Sequence, residues 1–390
     1  MIEIDFPLFY DIMASEFLLG LSLVCLLIGL FYYFSFLKLT FHKNVKMAND
    51  EYEPVSVVLV IVDEIEYLQN SFEILLKQDY PNDYQVIIVN DRPETVETID
   101  YLNTLKERFR DKLYVTTIKR DSIFNNAKRL AYTIGIKAAK YNNIIFTDPT
   151  VEIKSNHWLK SMSRGFYNKS VVFGYSEIKF KKGIKNKIFR AINTFDSLMW
   201  LSAAKNNNIF RATILNLGFT SELFFKIGGY RERLRLNTGE SDLFVQKLVN
   251  SNNKAEIVLS RTATTAKNLD DYNIKRWYKN QIFDFYTTRF YKLKDFLYLT
   301  FAPLFSFLFW LSAASVIIFD YTLWYYILAM VVLRWFIMCF TLFRFSKLTG
   351  SKIPYFMCFI YDIFGTFYKI LLFLSRKFNP SFDLWVRIIK

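Results

Sequence analysis

The chain has 390 residues, of which 52% are hydrophobic and 41 are Phe, and this composition indicates a membrane protein of two or three folded units rather than an ordinary soluble domain. Cys25, Cys339 and Cys358 all lie in apolar stretches, and the two histidines are far apart, which argues against a disulfide framework, a zinc site and His-based triads. The net charge of +14 fits attraction to an anionic inner leaflet better than binding of nucleic acid, so we expect membrane lipids as partners and no nucleic acid.

The N-terminal part of the sequence predicts a transmembrane helix over residues 17–37, an uncharged run of about the 20 residues that a membrane crossing needs. The preceding residues 1–16 are acidic, so the run does not have the basic flank of a cleaved signal peptide. Basic residues follow it, beginning with Lys38. By the positive-inside rule we expect residues 1–16 to form a short external N-terminus and the following domain to be cytoplasmic.

The C-terminal part predicts two more transmembrane helices, over 296–319 and 321–343, the second of which contains Arg334. We interpret Arg334 as snorkelling or pairing with a neighbouring helix, in preference to a functional role. Residues 353–390 contain interior charges such as Asp362 and have bases at both ends, so we predict an amphipathic region in the membrane interface there. Together these segments predict a multi-pass protein of the cell inner membrane.

The polar middle of the chain, residues 51–271, alternates buried-strand patterns with amphipathic helical patterns. Strands are predicted at 55–62, 85–91, 113–119 and 143–148. Such an alternation is typical of an α/β, Rossmann-like fold with a mostly parallel sheet, whose ligands bind at the carboxyl ends of the strands. Asp63, Asp91 and Asp148 all fall at those ends. Each alone is typical of a turn or helix cap, but three acids at one edge favour a site.

Six stretches of this part of the chain form recognisable motifs: "VSVVLVIVDEIEYL", "LLKQDYPNDYQVIIVND", "AKRLAYTIGIKAAKY", "FTDPTVEIKSNHWLKSM", "NTGESDLFVQKL" and "RWYKNQIFDFYTTRFYK". These motifs resemble those of membrane-anchored family 2 glycosyltransferases of the GT-A fold, over about residues 53–295. The second is the most specific match. The resemblance implies a GT-A catalytic domain over 51–271, flanked by N- and C-terminal transmembrane helices, with an amphipathic interface helix over 272–295.

The same resemblance implies an inverting transfer of a sugar from a nucleotide-diphospho-sugar to an acceptor hydroxyl. It assigns nucleotide-sugar binding to Asp63, Glu64, Asp91, Lys128 and Asp148, the catalytic base to Glu240, the acceptor side to Gly229, Asp242 and Trp277, and metal binding to Asp148. The implied cofactor is Mg²⁺ or Mn²⁺, which offsets the charge that develops on the leaving diphosphate.

The departures from the family pattern lie at the positions that the resemblance assigns to metal binding, catalysis and the acceptor site. Thr150 stands where a second metal carboxylate is usual, Glu240 replaces the usual Asp, and Asn280 with the "IFD" stretch replaces a Gln and a basic-aromatic cluster. We therefore expect a weakly held cation whose binding depends on the nucleotide.

Three functions remain open on the sequence. The first is a hexosyltransferase that acts on a lipid-linked or envelope glycan acceptor in polysaccharide biosynthesis. The second is a catalytically weak or inactive pseudo-glycosyltransferase that serves as a membrane scaffold for a protein partner. The third, a processive synthase that exports its polymer, is disfavoured because two C-terminal spans give little room for a channel.

Overall fold

A computed structural model describes residues 6–47, 51–61, 72–91, 96–118, 127–167, 169–231, 239–250, 255–270 and 272–378. The strands are β1 (Val55–Ile61), β2 (Tyr84–Asn90), β3 (Leu113–Thr117), β4 (Asn143–Phe146), β5 (Val151–Ile153), β6 (Val171–Gly174), β7 (Ser176–Ile178), β8 (Leu217–Thr220), β9 (Ala255–Val258) and β10 (Thr265–Lys267). The helices are α1 (Phe6–Thr40), α2 (Val96–Arg108), α3 (Ala127–Lys137), α4 (Trp158–Ser163), α5 (Ile184–Lys205), α6 (Ser221–Lys226), α7 (Asp242–Asn250), α8 (Ile274–Tyr286), α9 (Leu293–Phe319), α10 (Trp324–Thr349) and α11 (Tyr355–Phe378).

The central sheet has the order β3-β2-β1-β4-β8-β6-β9. Strands β3, β2, β1 and β4 are parallel to one another, β8 is antiparallel to both β4 and β6, and β9 is parallel to β6. The carboxyl ends of the four parallel strands therefore meet at one edge. A smaller sheet has the strand order β5-β10-β7, and its strands β5 and β7 follow β4 and β6 in the chain. The predicted Rossmann-like, mostly parallel sheet of the GT-A fold is confirmed.

Strand β1 shows why this sheet is covered on both faces. All seven of its residues are buried, and they alternate between two apolar cores. Val58 and Val60 belong to the core that includes α3, whereas Val57 and Leu59 belong to the core on the other face. Helix α3 packs closely because Gly135 has no side chain: a Cβ there would lie 2.5 Å from Cγ1 of Val58.

Four helices of the described residues are long and apolar enough to cross a membrane, over Met13–Thr40, Leu293–Phe319, Tyr321–Thr349 and Tyr355–Ser375. Three of them contain the predicted spans at 17–37, 296–319 and 321–343. The fourth falls in the region predicted to be an amphipathic interface segment. Its length and composition allow a crossing, so the interface placement of 353–390 stays a prediction, and residues 379–390 lie outside the described residues.

The two sides of α11 differ. One side carries exposed apolar residues at helical spacing: Phe356, Ile360, Phe364, Phe367, Leu371 and Leu374. The other side contacts α5 and α8, and Tyr361 stacks on Phe195 of α5 with ring centroids 4.9 Å apart. The hydroxyl groups of Tyr278 and Ser375 are 2.7 Å apart, which joins α8 to the end of α11. This two-sided pattern is typical of a helix in a membrane interface.

Two charged residues of the apolar helices, one on α10 and one on α11, form a buried ion pair. Arg334 donates from Nε and Nη2 to the two carboxylate oxygens of Asp362, at 2.9 and 2.7 Å, and is 2% exposed. The Tyr33 hydroxyl of α1 donates to the same carboxylate at 2.5 Å, and Arg334 also donates to the Ser306 hydroxyl of α9 at 2.8 Å. The interpretation of Arg334 as a residue that pairs with a neighbouring helix is confirmed, and this network joins all four apolar helices.

Candidate active site

A cavity with an empty volume of about 1280 Å³, which includes its opening, lies where β4 ends and where α5, α7 and α8 converge. Its charged lining residues are Lys128, Asp148, Asp196, Arg211, Glu240, Lys267 and Asp284. The structure thus brings three of the predicted site residues, Lys128, Asp148 and Glu240, into one cavity. A fourth, Trp277, also lines it.

Asp148 is positioned by the end of β4. The Thr147 N–H donates to the Val58 carbonyl of the neighbouring strand at 3.2 Å, and the chain then turns so that the Val151 N–H donates to the Asp148 carbonyl at 2.9 Å. Within this turn Thr150 donates twice to Oδ1 of Asp148, from its N–H at 3.0 Å and from its hydroxyl at 2.5 Å. The residue that replaces a metal carboxylate therefore fixes the remaining carboxylate and uses one of its two oxygens.

Two other predicted donor-side positions lie around this strand end. Lys128 is in the first turn of α3, as the motif comparison implied, and reaches the cavity. Asp91 directly follows β2, and its N–H donates to the Ile61 carbonyl at 2.9 Å. Its side chain is buried, at 3% exposure, and it is not part of the cavity lining. Asp63 and Glu64 lie outside the described residues.

Glu240 enters the cavity from the start of α7. Gly239 before it has φ +91°, a conformation that favours glycine, and a Cβ there would lie 2.7 Å from a Leu243 methyl group. The Glu240 carbonyl accepts a hydrogen bond from the Tyr230 hydroxyl at 3.3 Å, and Glu240 lines the cavity beside Ser241. The backbone of this turn thus presents Glu240 to the same space as Asp148.

Asp242, predicted on the acceptor side, is buried and is not among the cavity-lining residues. Its Oδ2 accepts hydrogen bonds from the Thr287 hydroxyl and, at 2.6 Å, from the Tyr291 hydroxyl. Burial and the adjacent Asp242 carboxylate raise the pKa of Tyr291 well above its usual value, so its hydroxyl stays a donor. In the structure these contacts join the start of α7 to the segment after α8.

Gly229 and Trp277, the other predicted acceptor-side residues, have different surroundings. Gly229 has φ +55° and contacts the ring of Phe224, where a Cβ would lie 2.7 Å away, and it does not line the cavity. Trp277 does line it. Its ring stacks on Phe189 of α5 with centroids 4.4 Å apart and on Tyr368 of α11 with centroids 5.9 Å apart.

The structure adds charged residues that the sequence interpretation did not assign. Asp284 lies on α8. This helix is capped by Asn273, whose side chain accepts a hydrogen bond from the Arg276 N–H at 2.7 Å. The Asp284 Oδ2 is 3.6 Å from Nη2 of Arg211. Asp284 belongs to the "IFD" stretch that departs from the family pattern, and that departure could have marked it as a site residue. Arg211 and Lys267 lie in stretches without a motif, so the sequence did not mark them.

The electrostatic environment of Asp284 is mixed. Its side chain is 53% exposed, but that exposed surface faces the cavity, where the surrounding protein reduces solvation and raises the pKa of the carboxyl group. Arg211 and then Lys267 act in the opposite direction, and Asp242 and Asp196 raise the pKa further. These five charges therefore interact as one cluster.

The described residues contain no group of three or more His, Cys, Asp or Glu side chains placed to hold a metal ion. Oδ2 of Asp148 is the carboxylate oxygen of the predicted metal position that Thr150 does not engage. Mg²⁺ and Mn²⁺ can be held through one or two carboxylates together with phosphate oxygens. The donor set thus fits a cation that arrives with a diphosphate better than one bound by protein alone.

Comparisons with known proteins agree with this architecture. Residues 56–229 match the family model described as Glycosyl transferase family 2. The structure is similar to that of the mannosyltransferase PcManGT from Pyrobaculum calidifontis, solved in complex with GDP-Man and Mn²⁺, with a TM-score of 0.56 and 13% identity. That match covers 90% of this chain and 98% of the other, so it extends into the flanking apolar helices.

Two weaker structural likenesses are to S. aureus TarS and to GalNAc-T7 with UDP, GalNAc and Mn²⁺. TarS has a TM-score of 0.42 and 16% identity over 65% of this chain and 42% of its own. GalNAc-T7 has a TM-score of 0.44 and 13% identity over 58% of this chain and 44% of its own. A sequence search of curated proteins found no match. The family match, the parallel sheet and the cavity at its carboxyl edge lead to one conclusion: this chain carries a glycosyltransferase domain of family 2 with the GT-A fold.

Proposed function

We propose that the protein transfers a sugar, with inversion at the anomeric carbon, from a nucleotide-diphospho-sugar to an acceptor at the cytoplasmic face of the membrane. The observation that supports this most is that Lys128, Asp148 and Glu240, from three separate segments, line one cavity at the carboxyl edge of the sheet. A cation, a metal-type carboxylate and a second carboxylate are the groups that this displacement needs. GDP-Man in the complex of the similar mannosyltransferase is a donor of this chemical class.

The donor side is formed by Lys128 and Asp148. In this proposal Lys128 pairs with the pyrophosphate of the donor, and Asp91, which directly follows β2, supports the nucleotide end of the site from outside the cavity lining. Asp148 would hold Mg²⁺ or Mn²⁺ through Oδ2, because Oδ1 is engaged by Thr150. When bound, the cation supplies charge that offsets the negative charge developing on the departing diphosphate.

Glu240 is the proposed catalytic base. An acceptor oxygen forms a bond to the anomeric carbon on the face opposite the nucleotide, while the bond from that carbon to the diphosphate oxygen breaks. The proton of an acceptor hydroxyl passes to the Glu240 carboxylate, and the nucleoside diphosphate leaves with the bonding electron pair. One displacement of this kind inverts the anomeric configuration.

The acceptor reaches the cavity from the membrane side. Helices α5 and α8, which line the cavity, contact α11 along its length through Phe195 and Trp277. A lipid-linked or envelope glycan acceptor at the inner membrane suits this placement better than a soluble one.

The proposal is tested by Glu240→Gln. As the base, this change should lower turnover by roughly 10²–10⁴-fold while nucleotide binding and thermal stability stay unchanged. As a charge at the N-terminus of α7 alone, the residue should contribute about 0.3–1 kcal/mol of stability and little to transfer. Glu240→Asp is the matched variant and should retain partial activity. Equal transfer by the wild type and Glu240→Gln would show that Glu240 is not the catalytic base.

A scaffold that has lost catalysis is the second candidate, and one observation favours it: Thr150 occupies the second carboxylate position and binds Asp148. Titration with a panel of nucleotide-sugars, with and without Mn²⁺, followed by product analysis separates the two. A protein that binds donors without turning over any of them would be the scaffold.

A further inference from the structure

A second cavity lies among the apolar helices, beside the catalytic cavity. Its empty volume is about 660 Å³, including its mouth, and its walls come from α1, α5, α9, α10 and α11. Most of the wall is apolar or aromatic, including Tyr32, Phe36, Phe195, Met199, Leu299 and Ala302.

The ionic groups in the wall of this second cavity are compensated by one another. The Arg334 guanidinium and the Asp362 carboxylate form a bidentate pair that also engages Tyr33 and Ser306. A glycan in this space would have to leave many hydroxyl groups without hydrogen-bond partners, and burying an unpaired hydroxyl is unfavourable. An apolar chain carries no such cost, so the cavity selects for a hydrocarbon.

Asp196 connects the two cavities, because it belongs to the lining of both. Its Oδ1 is 2.6 Å from Nζ of Lys369, a residue of α11 that lines the second cavity. Both side chains keep about a fifth to a quarter of their surface exposed, at 20% and 24%. The Asp196–Lys369 pair therefore stands at the junction between an apolar space and the catalytic one.

The helices that form the second cavity also carry the surfaces suited to lipid. Next to its cavity-lining residues Gly365, Thr366 and Lys369, α11 exposes Phe364 and Phe367. Helix α9 exposes Phe301 beside Ala302 of the cavity wall. A molecule that diffuses in the bilayer thus meets the outer sides of the same helices whose inner sides form the cavity.

We propose that the second cavity binds the apolar chain of a membrane-borne acceptor, with its polar head at the Asp196–Lys369 junction and its nucleophilic oxygen in the catalytic cavity. This inference rests on the proposed function and narrows its acceptor to a lipid that ends in a hydroxyl or a phosphate. The acceptor oxygen bonds to the anomeric carbon as the diphosphate leaves. A lipid alcohol gives its proton to Glu240, whereas an ionised lipid phosphate has none to give.

The test uses the full chain in lipid nanodiscs and two photoreactive probes, a diazirine-bearing farnesyl phosphate and the corresponding farnesol. Cross-linked residues are mapped by mass spectrometry. At least one probe should label cavity-lining residues of α1, α9 or α11, and the probe that labels shows which head group is recognised. Ala302→Phe, which places a ring in the cavity, should reduce this labelling about tenfold or more, and a tenfold change corresponds to about 1.4 kcal/mol of binding free energy. Ala314→Phe, on an exposed position of the same helix, should not reduce it.

Binding of a nucleoside diphosphate is measured on the same samples, so that the two proposals fail separately. Nucleotide binding without cavity labelling by either probe would overturn the lipid site and leave the proposed function standing. Cavity labelling without nucleotide binding or sugar transfer would support the lipid site and overturn the proposed function. If Ala302→Phe does not fold, Ala302→Leu places a smaller side chain in the cavity, and its labelling is compared with that of Ala314→Phe in the same way. Labelling that inorganic phosphate abolishes as well as unlabelled farnesyl phosphate would show head-group recognition alone and contradict the proposal.

Discussion

Thr150 determines how much of the Asp148 carboxylate is available to a cation. Its two hydrogen bonds to Oδ1 leave Oδ2 as the oxygen open to a metal. Thr150→Asp adds a second carboxylate at this turn, so we expect Mn²⁺ to bind more tightly even without nucleotide. In the wild type, Mn²⁺ should bind weakly alone and more strongly once a nucleoside diphosphate supplies phosphate oxygens.

The measurement is titration calorimetry with Mn²⁺, with and without nucleoside diphosphate. Thr150→Ala is the matched control, because it removes the hydroxyl donor without adding a ligand. If Thr150→Asp and Thr150→Ala bind Mn²⁺ alike, residue 150 does not face the metal position and the carry-over from the family pattern is wrong there.

The Asp284 carboxyl group makes the stability of the folded protein depend on pH. The reduced solvation in the cavity raises the pKa of its carboxyl group above the usual 3.8, so the folded protein holds this proton to higher pH than the unfolded chain does. The contribution of Asp284 to stability is therefore most favourable at low pH and is lost as pH rises from about 3.8 through the raised value. We expect Asp284→Asn to remove this part of the pH dependence.

Thermal unfolding followed by tryptophan fluorescence between pH 3.5 and 7 measures this effect. Asp100→Asn, at an exposed position on α2, is the control for the removal of a carboxylate. An Asp284→Asn profile that matches the wild type across this range would mean that Arg211 fully compensates the loss of hydration.

At the scale of elements, the long apolar runs were predictable and the short strands were not. Strands β1 and β2 are seven residues each and nearly all buried, so their apolar runs were sufficient evidence. Strands β5, β7 and β10 have three residues each, too few to show a periodicity, and they pair over long sequence separations. The same separation explains why Lys267, carried by β10, could not be assigned to the cavity, whereas Glu240, within a motif, could.

The buried Arg334–Asp362 ion pair joins α10 to α11, so its loss should lower the stability of the protein. Removing one member leaves a buried charge without a partner, so Asp362→Asn or Arg334→Met should cost about 3–5 kcal/mol of stability. Replacing both, as Arg334→Met with Asp362→Leu, should recover much of that loss because no buried charge remains. Melting temperatures of the two single variants and the double variant in the same detergent measure the coupling. A double variant as unstable as the sum of the singles would show that the two residues do not act as a pair.

At the scale of the whole molecule, the long apolar helices and the glycosyltransferase domain are packed as one unit. Helix α11 contacts α5 through Tyr361 and Lys369, and α8 through Tyr368. Both α5 and α8 line the catalytic cavity. The cavity is therefore held next to the apolar helices by direct side-chain contacts, and a change in α11 should alter the cavity as well as the membrane contacts.

Labelling of introduced cysteines can test whether α11 crosses the membrane or lies in its interface. We expect Glu16→Cys to be external, and Lys182→Cys, on an exposed loop of the catalytic domain, to be cytoplasmic. If α11 lies in the interface, as its catalytic-domain contacts and exposed apolar side favour, the chain crosses the membrane three times and Lys390→Cys is cytoplasmic too. In spheroplasts of a Cys339→Ser background, a membrane-impermeant maleimide should then label Glu16→Cys at once and the other two only after permeabilisation. Labelling of Lys390→Cys in intact spheroplasts would show that α11 crosses, and labelling of Lys182→Cys would reverse the orientation of the whole protein.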